Sequence, residues 1–437
     1  MTAAGGRRGT GRGSVAARHA IVLGGCRIPF ARSNSAYAEA SNQQMLEAAI
    51  GGLVRRFDLQ GEVLGEVVAG AVLKHPRDHG LTREAVLGSG LSPRTPAYDV
   101  QQACGTGLEA AVLVANKVAL GQIECGIAAG VDTTSDAPIS LSDGLRRKLV
   151  RAHAARGWQP TLREIGRVRP GDLVPEPPRN VEPRTGLSMG EHCAQMAERW
   201  GISRQEQDEL AAGSHRGLAA AYDAGFMDDL VTPWGGLGRD ENLRPESSVE
   251  TLARLRPVFG GPGGTMTAGN STPLSDGASA LLLASERWAA ERGLPVLASI
   301  THAQTAAVDY VDGEEGLLMA PAYAMPRLLE RAGVTLQDFD LYEIHEAFAA
   351  QVLCTLKAWE DADYCRERLG LPEPLGAIDR ERLNVNGGSI AAGHPFAATG
   401  GRLVAGLAKA MAERDVSRGV ISVCAAGGQG VVAVLER

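Results

Sequence analysis

At 437 residues the chain is long enough for about three domain-sized units and a large buried core. Its 44% hydrophobic and 22% charged content is that of ordinary globular material, and 55 glycines beside only 4% aromatics imply close packing of small residues. The net charge of -7 argues against a general nucleic-acid binder, and no apolar run reaches the roughly 18 residues of a membrane-spanning helix.

Residues 1 to about 18, with Gly5-Gly6-Arg7-Arg8-Gly9 and Gly11-Arg12-Gly13, have no hydrophobic period and predict a disordered tail. This Arg-rich, acid-free start also matches a weak transit peptide, but no apolar h-region follows it. From Ala20 the text becomes regular. Ala20 to Leu23 reads as a buried strand, and Ser41 and Asn42 cap a helix carrying Met45, Leu46, Ala49, Ile50, Leu53 and Val54 at helical spacing. A strand over Glu66–Gly70, a short helix from Thr82, and an extended run from Ala97 to Gln101 follow. They lead to a helix from Cys104 to about Leu120 and a strand over Gly126–Gly130. Strands alternating with helices predict an α/β domain with a mostly parallel sheet.

From about Pro138 to Asn270 strand signals are sparse. Ser188 with Glu191 and Ser203 with Glu206 form capping-box pairs, which predicts a mainly helical insertion. Alternation resumes at Asp276–Leu283, which returns the chain to the first sheet. The last third repeats the first plan: His394 opens a small-residue helix to about Met411, followed by a strand over Val420–Val423, much as Cys104 opens a helix followed by a strand. The divisions are a tail over 1–18, a first core domain over 19–137 and 271–294, an insertion over 138–270, and a second core domain over 295–437.

Seven scattered cysteines, at 26, 104, 125, 193, 354, 365 and 424, form no disulfide framework and fit a reducing, cytoplasmic compartment. No CxxC occurs and the histidines lack zinc spacing. His345-Glu346 begins like HExxH, but Ala349 stands where the second histidine belongs, so no metal site is expected. Gly105-x-Gly107-x-x-Ala110 satisfies a dinucleotide fingerprint only as a pattern, because Gln101 and Gln102 precede it where an apolar strand should be. Gly186-Leu187-Ser188-Met189-Gly190 fits a nucleophile elbow but follows a polar, proline-broken stretch, which makes Ser188 a helix cap. Between Leu145 and Arg169, eight Arg and Lys face only Glu164. That stretch reads either as a solvated helix face or as a docking surface for a membrane, a partner subunit or a cofactor's phosphates.

Chemistry concentrates in three glycine-bedded segments: Gln102-Ala103-Cys104-Gly105-Thr106-Gly107, Asn386-Gly387-Gly388-Ser389-Ile390-Ala391-Ala392-Gly393-His394-Pro395, and Val423-Cys424-Ala425-Ala426-Gly427-Gly428. A cysteine ahead of a helix faces unpaired N–H groups and the positive end of the helix dipole, which favours a thiolate and makes Cys104 a candidate nucleophile. Cys104, Cys424 and one histidine in such settings form a candidate catalytic constellation.

These segments, with His345-Glu346-Ala347-Phe348, occur in the order found in thiolases, and the sequence resembles that family over nearly everything after residue 18. His345 in place of the commoner Asn, together with Gly393-His394-Pro395-Phe396-Ala397-Ala398-Thr399-Gly400, is similar to the branch containing β-subunits of fatty-acid-oxidation complexes. The resemblance implies a duplicated α/β core of two similar domains with mixed sheets, an inserted loop domain, and a homodimer or homotetramer. It implies cleavage of 3-ketoacyl-CoA with Cys104 as nucleophile, His394 as base, Cys424 as acid/base, and His394 with His345 at the enolate oxygen. The backbone N–H groups of Cys104 and Ala426 would form a second oxyanion site. No permanent cofactor is implied; coenzyme A and acyl-CoA are substrates, with Met189, Arg244, Ser271 and Thr272 as CoA contacts, Thr272 replacing the usual serine. An acetyl-CoA C-acetyltransferase is the alternative. A ketoacyl synthase would not need Cys424, and a non-catalytic acyl-CoA-binding subunit would not need the reactive set. A hydratase/dehydrogenase α-subunit as partner and a peripheral membrane contact through 145–169 stay open, as does acyl chain length.

Overall fold

The computed structural model describes residues 18–312 and 315–437, so the expected tail lies outside it except for Arg18. Strand Ala20–Arg27 pairs antiparallel with Ser275–Ala284, which pairs antiparallel with Cys125–Asp132; beyond that, Glu66–Ala69 and Ala97–Asp99 add parallel neighbours. The C-terminal part repeats this plan. Ala298–Ala307 pairs antiparallel with Gln429–Glu436, then antiparallel with Arg418–Ala425, then parallel with Leu341–Ile344. The two halves meet where Ala20–Val22 pairs with Ala298–Ile300, giving one sheet of ten strands. The mostly parallel sheet expected from the alternation is therefore corrected to a mixed one, as the family resemblance implied. In each half the last core strand returns beside its neighbour in the opposite direction, which a βα alternation alone does not reveal.

Helix Asn42–Arg56 starts at the predicted cap, where the Ser41 side chain accepts from Gln44 N and the Gln44 side chain returns the bond. Two helices lie at the centre, Thr106–Ala119 and Thr399–Arg414, and both are rich in Ala, Val, Leu and Gly. They join one apolar cluster that draws Val22, Ala128, Leu281, Ile421, Val423 and Val431 from strands of both halves. Separate clusters cover the outer face of each half, under helices Asn42–Arg56 and Leu81–Gly88 on one side and Ala320–Ala332 and Ala349–Glu360 on the other.

Where the central helices cross, glycine is a steric requirement. A side-chain carbon built on Gly400 would lie 2.6 Å from the Gly107 carbonyl carbon and 2.8 Å from Leu108 Cα. The backbones touch there, which brings the two helix starts, and the residues just before them, to one place.

The segment 138–270 is mainly helical, with Asp143–Ala154, Trp158–Ile165, Met189–Arg199 and Arg204–Asp223 as its longer helices. A small hairpin, Pro257–Phe259 with Met266–Thr267, is its strand content. Ser188 and Ser203 cap their helices with the predicted glutamates. The basic stretch forms the first two helices, and its charge is partly answered. Asp143 holds Arg146 and Arg147, Asp172 holds Lys148, and Glu164 holds Arg151 and Arg167.

Candidate active site

Cys104 does not open the helix as expected. The helix begins at Thr106 with Gly105 as its cap, and Cys104 sits one residue earlier on a tight turn. In that turn the Thr106 hydroxyl accepts from Gln102 N (2.8 Å) and donates to Ala103 O (2.7 Å). Ala103 is left-handed at φ 46°, a strain of about 1 kcal/mol for a residue with a Cβ, held by those bonds immediately before Cys104.

The C-terminal half supplies the other groups. His345 follows strand Leu341–Ile344, and its N–H donates to Ser422 O (2.8 Å), extending the pairing with the strand that carries Cys424. His394 lies between the short helix Ser389–Ala392 and the central helix, so it precedes the helix start by several residues instead of opening it. The two imidazoles stack at 4.1 Å between centroids, tilted by 46°. Each is anchored through Nδ1, His345 to Ser389 Oγ (2.8 Å) and His394 to Thr399 Oγ1 (2.6 Å). Each is buried, and each leaves Nε2 without a hydrogen-bond partner among the described residues. Two adjacent orphaned ring nitrogens cost stability unless something polar comes to meet them.

Cys424 is the second-to-last residue of strand Arg418–Ala425, and the left-handed pair Gly427 and Gly428 turns the chain back. Glu182 reaches in from the insertion to fix that turn, accepting from Gly427 N (2.8 Å) and from the Tyr310 hydroxyl (2.9 Å). The turn aims the Ala426 N–H at the Cys104 sulfur.

Electrostatics correct one expectation. Of the seven cysteines Cys104 alone keeps some exposure, yet burial pushes its thiol up to about 12, and the N–H groups of Ala426 and of Cys104 itself offset this only in part. The helix dipole does not make a resting thiolate, because loss of hydration outweighs a few N–H groups. Burial raises the Cys424 thiol as well, and proximity to Cys104 adds to it. Burial lowers His394 to about 3, with the Arg402 charge acting the same way. His345 is pushed down by burial, then by His394 and Arg402. Burial thus favours neutral thiols and neutral imidazoles at rest.

Family profiles described as "Thiolase, N-terminal domain" and "Thiolase, C-terminal domain" match residues 20–287 and 294–437. The chain belongs to the thiolase family. It is 41% identical to a 3-ketoacyl-CoA thiolase of Erwinia tasmaniensis over 95% of this chain and 96% of that one. To a 3-ketoacyl-CoA thiolase of Yersinia pestis it is 39% identical over 95% and 96%. Among solved structures, an acetyl-CoA acetyltransferase of Bacillus anthracis superposes with a TM-score of 0.79 at 29% identity, covering 96% of this chain and 98% of that one. This thiolase is therefore an acyltransferase acting on CoA thioesters.

An open groove of about 1200 Å³ gathers Arg244, Ser271 and Thr272 with His215, Phe259 and Ile390. Its inner wall adjoins the histidines, since Ser271 bridges Phe348 and Ile390 follows Ser389. Arg244 is exposed in this groove. Ser271 is buried with its hydroxyl unpartnered, whereas the Thr272 hydroxyl donates to Ala347 O (3.1 Å). Met189 does not line the groove; it is the first residue of its helix and packs in a cluster with Phe259 and Phe348. Ser389, Thr399, Arg402 and Glu182 were not singled out from the sequence. The first three lie in or beside the glycine-rich segments, but only the fold shows which imidazole each one serves.

Proposed function

We propose that this thiolase cleaves 3-ketoacyl-CoA with CoA to acyl-CoA and acetyl-CoA, as in fatty-acid β-oxidation, by ping-pong acyl transfer through Cys104. The observation that carries the reading is the pair of orphaned Nε2 atoms on the adjacent rings of His345 and His394, with Cys104 and Cys424 close enough to act on each other. Such a setting suits an oxygen that becomes negative during reaction.

In the first half-reaction the Cys104 thiol gives its proton to His394 Nε2 and the sulfur attacks the 3-keto carbon. The N–H groups of Ala426 and Cys104 receive the oxygen of that carbon. Breaking the C2–C3 bond leaves an acyl thioester on Cys104 and the enolate of acetyl-CoA. His394, now carrying the proton from Cys104, becomes a donor to the enolate oxygen at the moment that charge appears, and His345 Nε2 lies beside it. The Cys424 thiol protonates C2, releasing acetyl-CoA. In the second half-reaction CoA–SH gives its proton to the Cys424 thiolate and its sulfur takes the acyl group. The departing Cys104 sulfur recovers its proton from His394, and every proton is accounted for. A ketoacyl synthase, which generates its carbanion by losing CO2, would leave Cys424 without a task.

Arg244 at the groove would meet the nucleotide end of CoA, with Ser271 deeper along pantetheine and Met189 and Thr272 behind. The acetyl-CoA acetyltransferase neighbour supports a second reading, reversible formation of acetoacetyl-CoA. Helix Trp158–Ile165 has no buried residue and presents Trp158, Leu162 and Ile165 one turn apart beside exposed arginines, which supports a peripheral contact with an anionic membrane. A homodimer or homotetramer, a hydratase/dehydrogenase partner subunit and a cytoplasmic location complete the reading. Thiolysis rates on acetoacetyl-CoA against C12 and C16 3-ketoacyl-CoA test it. Faster turnover of the long chains supports the degradative reading, acetoacetyl-CoA alone supports the alternative, and no turnover of any of the three overturns both.

A further inference from the structure

We propose that Arg402 is a positioning residue that, through Ser389, fixes the tautomer of His345 so that its Nε2 presents a proton, never a lone pair, to the enolate oxygen. This rests on the thiolase reading above.

Ser389 is completely buried, and its hydroxyl oxygen has two polar neighbours, Arg402 Nη2 at 2.8 Å and His345 Nδ1 at 2.8 Å. A guanidinium only donates, so Ser389 must accept from Arg402. The hydroxyl proton then needs an acceptor, and His345 Nδ1 is the one within reach. Were Nδ1 protonated instead, Ser389 would accept twice and its own O–H would be buried unpaired, the costlier arrangement. A neutral ring whose Nδ1 accepts must carry its proton on Nε2. Neutrality is supported by burial and by the positive charge of Arg402, which acts on both imidazoles.

His394 has no such lock. Its Nδ1 meets Thr399 Oγ1, a hydroxyl that no arginine touches among the described residues, so the ring is not held to one tautomer and its Nε2 can present a lone pair to the Cys104 proton. One guanidinium thus fixes one of two stacked histidines as a donor and leaves the other unlocked. Burial lowers Arg402 from the ordinary guanidinium range, yet a guanidinium stays protonated at neutral pH even when buried. With the other tautomer, His345 would aim a lone pair at a developing negative charge.

The test uses the full-length protein and compares Arg402→Met, Ser389→Ala and Arg402→Met/Ser389→Ala in thiolysis of acetoacetyl-CoA and a C16 3-ketoacyl-CoA. In parallel, ¹⁵N spectra of histidine-labelled protein are taken, with the His345 signals identified by their loss in His345→Ala. Each single variant is expected to lose roughly 10²-fold in kcat, the scale of one oxyanion donor, with KM changed only a few-fold. The double variant should be no slower than either single, and His345 should show Nε2–H in the wild type and a mixture in Arg402→Met. Losses that multiply in the double variant, full kcat in either single, or Nδ1–H in the wild type overturns the proposal. If Arg402→Met fails to fold, Arg402→Lys, with one donor retained, should recover at least part of the rate, and its failure to do so counts against the idea. A wild-type protein without thiolysis would sink the thiolase reading, while the ¹⁵N tautomer would still decide the arginine's role.

Discussion

Substituting Gly400 by alanine tests whether the crossing of the central helices holds the site together. The added carbon would sit 2.6 Å from the Gly107 carbonyl carbon and 2.8 Å from Leu108 Cα, and closer still to the Leu108 amide, where ordinary contact begins at 3.4 Å. Backbone atoms cannot swing aside as a side chain would, so the helices must part by about 1 Å. Overpacking of this kind costs about 3 kcal/mol. The same displacement separates Cys104, two residues before one helix, from His394, five residues before the other, and about 1 Å of misplacement is worth on the order of 10²-fold in rate. Gly406→Ala is the control on the same helix, with nothing within 4 Å of its new carbon. There the usual gain of about 0.5–1 kcal/mol for alanine over glycine is expected, with activity unchanged. Thermal melts and steady-state thiolysis on both variants give the answer. A Gly400→Ala protein as stable and as fast as the wild type refutes the argument that the crossing sets the site.

Cys104→Ala is expected to abolish both thiolysis and acylation, whereas Cys424→Ala still takes an acyl group from acyl-CoA, seen as a mass increase on the intact protein, but loses thiolysis and α-proton exchange; equal loss of acylation in both would remove the division of labour between the sulfurs. The unfolded chain protonates the His394 imidazole below about 6.5 and the folded protein only near 3, so acid favours unfolding between those values. His394→Asn should therefore show a shallower fall in melting temperature from pH 6.5 to 4 than the wild type, and parallel curves would contradict the burial of a neutral imidazole. Ser271→Ala should raise KM for CoA thioesters several-fold at nearly constant kcat. Thr272→Val, which breaks the bond to Ala347 O next to Glu346, should lower kcat as well; identical profiles would refute the different placements of the two hydroxyls.

Much of the candidate site was legible because its residues are punctuated by glycine. Cys104, His394 and Cys424 each stand beside backbone that must approach something closely, and the order of those segments carried the family resemblance. Periodicity also gave the central helices and the strands after them, since small apolar residues leave a clear trace over ten or more positions. Strand direction was not legible. Ser275–Ala284 and Gln429–Glu436 are buried on both faces, so their sequences read as continuous apolar runs whether they pair parallel or antiparallel. The state of Cys104 was misjudged for a related reason. A sequence shows the helix that follows a cysteine but not how much water the fold removes from it. Arg402 was hidden because an arginine inside an amphipathic helix reads as a surface charge until packing turns it inward.

The hydrogen bonds from Ala20–Val22 to Ala298–Ile300 run across the boundary between the two repeats. The proposed nucleophile, Cys104, and the proposed acid/base, Cys424, therefore stand on opposite sides of a seam that is stitched by main chain and clamped by touching helices. On the proposed function, catalysis in such a scaffold needs no hinge to swing shut, because the candidate groups are already assembled. Turnover should then be limited by bond-making or by ligand departure.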